Sequence, residues 1–181
     1  MFISELPKYW GHWTTLKQFL SEVDGDKFRF DVIGLSEIFR VPPNMLYSLN
    51  GYHNLESKTR PASDDGRGEV GLFINSDLKY TVREDLSTFI PHVCECLFIE
   101  IDMHTAKSVI IGIVYRPNTP PRASLAIFTD SMGHINDQIA IENKKAIIMG
   151  DFNIDLLKYR SQPKTTLFVD NMYSQGFNQV L

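Results

Sequence analysis

The chain has 181 residues, 43% hydrophobic, 12% aromatic and 22% charged, which fits one globular domain over 1–181 and excludes a disordered or fibrous protein. A formal net charge of −4 withholds the basic balance that advertises a nucleic-acid partner, yet a local basic groove beside acidic metal ligands stays compatible with it. No apolar run reaches the roughly 18 residues that cross a bilayer, and MFISELPKYWGHW has no basic segment followed by an apolar core, so the expected setting is intracellular, nuclear or cytoplasmic, without membrane.

Along the chain, residues 9–24 place Trp13, Leu16, Leu20 and Val23 at helical spacing, with Gly25 as a stop. FDVIGLSE then predicts a short buried strand ending in Glu37. GYHNLES is a candidate short strand, and residues 58–68, KTRPASDDGRG, a polar loop. EVGLFIN and KYTVRE predict a hairpin, as do CECLFIEID and KSVIIGIVY. Cys94 and Cys96, two apart on the first of these last strands, would share one face, a poor disulfide geometry, and are expected to be reduced. The clearest helix has Leu125, Phe128, Met132, Ile135 and Ile139 on one stripe. KAIIMG predicts a strand, and TTLFVDNMYSQG a last helix stopped by Gly176. FNQVL, after it, has the pattern of an opening strand. Strands mixed with helices and joined partly by hairpins predict an α/β fold whose sheets are not purely parallel.

Three predicted strands end in groups that chemistry uses. DVIGLSE delivers Glu37, VIIGIVYRPN delivers Tyr115, Arg116 and Asn118, and AIIMGDFN delivers Asp151 and Asn153. Residues at the ends of core strands are held rigidly around one crevice. Carboxylates from two strands suit a hard divalent cation such as Mg²⁺, and Tyr, Arg and Asn offer hydrogen bonds to a phosphoryl group. Together they point to metal-assisted cleavage of a phosphodiester. Taken singly, each has an ordinary reading as a surface acid or a turn.

DVIGLSE, VIIGIVYRPN and IIMGDFN, in this order, resemble the endonuclease/exonuclease/phosphatase superfamily. GRGEVGLFI, VREDLSTFIPHVCECLFIEI and GDFNIDLLKYRSQPKTTLFVDNMYSQGF are most similar to the endonuclease domain of LINE-type (non-LTR) retrotransposons. The resemblance implies a four-layer α/β/β/α sandwich of two mixed sheets flanked by helices. It implies Glu37 as the metal-binding Glu, with Mg²⁺ or Mn²⁺ as cofactor, and Tyr115 and Asn118 as contacts to the scissile phosphate. Asp151 would orient or deprotonate the attacking water, and Asn153 would help hold the phosphate and Asp151. The substrate would be DNA, nicked to leave a 3′-hydroxyl for a reverse transcriptase elsewhere in the polyprotein. Arg116, Arg67, Arg60 and Lys58 are candidate contacts to the DNA backbone.

Two departures accompany the match. Aligned by its Leu-Pro-Lys run, FISELPKYW puts Phe2 where the family carries a metal-side Asn, so a degraded or clipped first strand is expected. The family's late Ser-Asp-His motif has no counterpart in the 181 residues, so the fold is expected to be incomplete at its C-terminal end. Two alternatives therefore stand beside the nicking enzyme: a catalytically inactive fragment of such a domain, and a phosphatase or phospholipid phosphodiesterase of the same superfamily.

Overall fold

The structure is a computed structural model and describes residues 2–3, 18, 30–38, 48–58, 69–104, 106–118 and 124–178. Among them, β1 (Phe2–Ile3), β2 (Val32–Ile38), β3 (Glu56–Lys58) and β4 (Glu69–Ile74) form one sheet in the order β1-β2-β4-β3. β1 runs parallel to β2; the other pairs are antiparallel. The second sheet orders β5 (Tyr80–Val82), β7 (Cys94–Ile101), β8 (Val109–Tyr115) and β9 (Lys145–Asp151), with β6 (Thr88–Ile90) also paired to β7. β8 and β9 are parallel, and helix α1 (Ser124–Glu142) makes the crossover that parallel neighbours require. A 3₁₀ turn over Leu156–Lys158 leads to helix α2 (Pro163–Ser174). The result is a mixed α/β fold of two sheets flanked by helices.

Three apolar layers hold it together. Between the sheets, Val70, Leu72 and Ile74 of β4 meet Leu97, Ile99, Ile111 and Ile113 of the second sheet. On the far side of that sheet, Cys94, Cys96, Phe98, Ile110 and Val114 pack under Phe128, Met132, Ile135, Ile139 and Phe168. The predicted stripe of the long helix is therefore its buried face, and the two cysteines share a face, unbridged. On the outside of the first sheet, Ile33, Leu35, Ile38 and Phe73 form a third cluster with Phe30, Leu49, Tyr52 and Leu55. Alternation along β7 and β8 sorts their residues between the layers. Gly176 ends α2 as expected: its φ is 83°, and the Phe177 N–H returns to the Met172 carbonyl at 3.0 Å.

The hairpin predicted over 69–84 does not form. β4 already has partners on both edges, β2 and β3, so β5 joins the other sheet on β7. Asn75 turns the chain between sheets, its side chain accepting from the Asp77 N–H at 3.0 Å. β6, inside the stretch VREDLSTFIPHV, was not expected as a strand; it is three residues long, below the length at which alternation is visible. The hairpin of β7 and β8 forms with seven paired residues. The helix predicted over 9–24, apart from Gln18, which is helical, the loop predicted over 58–68, apart from Lys58, which ends β3, and the last three residues of FNQVL lie outside the described residues. β1 is two residues long, pairing Phe2 with Gly34 and Ile3 with Leu35.

At the start of β8 and β9 an ion-pair cluster joins the sheet to α1. Arg83 meets Asp85 at 2.6 Å, Glu100 at 2.8 Å and also Glu142, and Lys144 reaches Glu100 and Glu142 at 2.7 Å each. The hydrogen bond from Arg83 holds Glu142 and Asp85 below the ordinary carboxylate range. At Glu100 partial burial works upward, but bonds from Lys144, Ser108 and Arg83 win and the group also lies low.

Two outcomes follow from this packing. Gly112 faces Phe98 across the ladder, and a Cβ there would lie 2.2 Å from the Phe98 ring. Gly112→Ala is expected to cost about 1–3 kcal/mol of overpacking, read as a lower urea midpoint at unchanged slope. Carboxylates held below their unfolded values stabilise the fold above those values and lose the contribution as pH falls through the folded ones. The melting temperature is expected to drop below the ordinary glutamate value of 4.5, and less steeply in Arg83→Met.

Candidate active site at the strand ends

The first constituent is set by a backbone irregularity. In the β2–β4 ladder Leu35 pairs with Gly71 and Ile38 with Glu69, three steps against two, so β2 carries one extra residue. Ile33, Leu35 and Ile38 all belong to the outer cluster. Strict alternation would put Ile38 inside and Glu37 outside; the bulge reverses both. Glu37 has a φ of 55°, the left-handed region that non-glycine residues adopt only when their surroundings enforce it. Its side chain is thereby turned toward the opposite sheet, where its Oε1 accepts a hydrogen bond from the Tyr115 hydroxyl.

The second constituent is a row across the other sheet. Glu95 pairs with Tyr115 on one side and Asp151 pairs with Tyr115 on the other, so three side chains share one level and one face. Tyr115 is 7% exposed. Burial raises its hydroxyl well above the ordinary range, and the bond to Glu37 with the negative charges of Glu37, Glu95 and Asp151 adds to this. Tyr115 thus keeps its proton and donates it in a hydrogen bond to Glu37. Glu95, 1% exposed, is the residue the sequence reading passed over. The signal was there: in CECLFIEI it sits in phase with Leu97, Ile99 and Ile101, an acid on the apolar face.

The third constituent is the corner after β9. A Cβ on Gly150 would fall 1.8 Å from the Val114 carbonyl oxygen, and φ there is +151°, so only glycine fits. Asn153 has a φ of 48°; its N–H donates to Asp151 Oδ1 at 3.0 Å and its Nδ2 donates to the Arg116 carbonyl at 2.8 Å. Arg116 is 9% exposed. Its Nε donates to the Phe152 carbonyl at 2.7 Å, and a terminal nitrogen donates to the Asn153 carbonyl. Burial lowers the Arg116 guanidinium, opposed by the nearby Asp151 charge.

The structure thus brings Glu37, Tyr115, Asp151, Asn153 and Arg116 to one end of the sandwich, from both sheets. Asn118 lies three residues beyond Tyr115 and is exposed. Lys58 is on β3 with its ammonium 2.8 Å from Glu84. Arg60 and Arg67 lie outside the described residues. Of the histidines, His92 and His104 are exposed turn residues, His134 is exposed on α1, and His53 bonds the Leu78 carbonyl at 3.1 Å.

Among the described residues no three His, Cys, Asp or Glu side chains form a metal cage. The donors at the strand ends are oxygens, from carboxylates on the two sheets and a phenol. That set fits a hard cation of the Mg²⁺ type, which takes one or two carboxylates and fills its shell with water and phosphate oxygens; Glu37 is the residue that would hold it. No helix among the described residues is long and apolar enough to cross a membrane.

Two sheets flanked by helices, with a bulged acid and a carboxylate–amide corner at one end, define the class of fold, and comparison with known proteins names it. Residues 10–174 match the Endonuclease/Exonuclease/phosphatase family, and the chain belongs to it. A search of curated proteins found no match. Among solved structures, ANGEL2, a 2′,3′-cyclic phosphatase, aligns with a TM-score of 0.58 at 14% identity over 96% of this chain and 56% of its own. The catalytic domain of Xenopus laevis APE2 aligns with a TM-score of 0.55 at 17% identity over 87% of this chain and 62% of its own. The chain therefore spans about three fifths of the length of these two structures, and at such identity the likeness is one of fold.

The raised Tyr115 hydroxyl has a spectroscopic consequence. Tyr80 is raised too, by burial and by its bond to Glu56 at 2.6 Å. Among the described tyrosines, Tyr80 and Tyr115 are expected to resist ionisation at the pH where a free phenol loses its proton, about 10. Ultraviolet titration of the native protein reads this, and Glu37→Gln is expected to ease the ionisation of one of them. A folded state that keeps these phenols protonated loses stability as pH rises past that unfolded value.

Proposed function

We propose that this domain hydrolyses a phosphodiester with a divalent cation, Mg²⁺ or Mn²⁺, and that its substrate is DNA, nicked to prime reverse transcription as in LINE-type retrotransposons. The observation that carries the hydrolytic reading is the meeting of Glu37, from one sheet, with the Tyr115–Asp151 row of the other. The nicking reading rests on the sequence stretches VREDLSTFIPHV and NIDLLKY, which are similar to that branch. DNA and an attached reverse transcriptase are accordingly the proposed partners.

In this reading Asp151, fixed at its Oδ1 by the Asn153 N–H, takes a proton from the attacking water. Tyr115, kept protonated, turns its one O–H from Glu37 to a phosphate oxygen as charge develops there, and Asn118 and Asn153 add polar contacts. Glu37 is the metal ligand, and the cation when bound polarises the phosphoryl group. Arg67 and Lys58 would meet the DNA backbone.

A second reading keeps the fold and loses the chemistry. The sequence holds no Ser-Asp-His motif, and absence of a general acid or oxyanion donor commonly costs two to four orders of magnitude in rate. A third changes the substrate to a phosphate monoester, cyclic phosphate or phospholipid, a shift for which ANGEL2 is a precedent of similar fold.

Supercoiled plasmid, abasic-site DNA, a 2′,3′-cyclic nucleotide, an inositol phosphate and a choline phospholipid, each with Mg²⁺, with EDTA and with Asp151→Ala, separate these. Plasmid relaxation that both controls abolish, by roughly a hundredfold or more, is the expected result. Turnover of another substrate alone would move the assignment to the third reading. A folded protein inert toward all five would leave the second.

A further inference from the structure

We propose that Arg116 is a positioning residue: it fixes the Asp151–Asn153 corner and does not itself touch the substrate. The inference rests on the reading above, in which that corner works on a phosphodiester. One residue binds three consecutive residues of the corner. Its main-chain N–H donates to the Asp151 carbonyl at 2.9 Å and its carbonyl accepts from Asn153 Nδ2 at 2.8 Å. Its guanidinium adds bonds to the Phe152 carbonyl at 2.7 Å and to the Asn153 carbonyl.

The corner needs such a clamp. Gly150 at φ +151° and Asn153 at φ 48° bracket Asp151, conformations that persist only where neighbours over-determine them. Past the end of β9 the carbonyls of the half-buried residues 152 and 153 leave the ladder and need donors from elsewhere. A planar guanidinium reaches two carbonyls at once, in fixed geometry; an ammonium on a flexible stem does not. At 9% exposure, with those donors turned inward, Arg116 is poorly placed to neutralise a backbone phosphate, which is how an arginine at a strand end would otherwise be read.

The two roles predict different measurements. Arg116→Lys and Arg116→Ala are assayed for plasmid nicking over a range of salt, and amide hydrogen exchange is followed at Asn153, whose N–H rests on Asp151 Oδ1. A positioning role predicts that both variants lose roughly 10- to 100-fold in kcat. It also predicts unchanged KM, unchanged salt dependence of binding and faster exchange at Asn153, with methylguanidine partly restoring Arg116→Ala. A phosphate contact predicts that Arg116→Lys stays active while Arg116→Ala raises KM and lowers the salt slope by about one unit; that pattern overturns the proposal. If Arg116→Ala does not fold, Arg116→Lys carries the comparison alone. If the unaltered protein cleaves nothing, the functional reading fails separately, and exchange in Arg116→Lys still decides: unchanged protection at Asn153 overturns the clamp.

Discussion

One surplus residue in β2 governs the candidate site. Without it, strand parity would seat Ile38 between the sheets and leave Glu37 among the apolar side chains outside. With it, Ile38 fills the outer cluster at 2% exposure and the carboxylate turns inward to the Tyr115 hydroxyl. The cost is a left-handed backbone at a charged, non-glycine residue. The same backbone irregularity therefore completes a hydrophobic layer and supplies a charged group to the crevice.

Around that point the molecule divides its labour by strand register. β7, β8 and β9 run their apolar residues into two layers, and where the strands reach one end the inner face changes to Glu95, Tyr115 and Asp151. The row sets the acids Glu95 and Asp151 on either side of the Tyr115 phenol, which burial keeps protonated. That is a suitable environment for a cation and an unsuitable one for a free phosphate. The arrangement explains why a hydrolytic reading of these residues includes a metal.

Much of this was legible in the sequence, and for identifiable reasons. The helical stripe from Leu125 to Ile139 and the β7–β8 hairpin obey long, clean periodicities, and they form as read. The strand-end positions of Glu37, Tyr115 and Asp151 were readable because apolar runs stop abruptly there. Partnering between strands was not. EVGLFIN looks like half of a hairpin with KYTVRE, but the six residues of β4 within it are all buried, and a strand paired on both edges has no place for the next one. The bulge was equally hidden, since parity is a property of the ladder and not of one strand. The burial of Arg116 escaped for a related reason: the carbonyls that capture it come from residues 152 and 153, far along the chain.

The Arg83–Glu142–Lys144 cluster lies at the start of β8 and β9, whereas Tyr115 and Asp151 end them. Seven residues of strand separate the two, roughly 20 Å at the usual rise. Changes at sites so far apart, with no shared partner, add their free energies almost independently. The fold therefore offers two separate handles: its thermal endurance can be raised or lowered at one pole while the side-chain arrangement of the other is left alone.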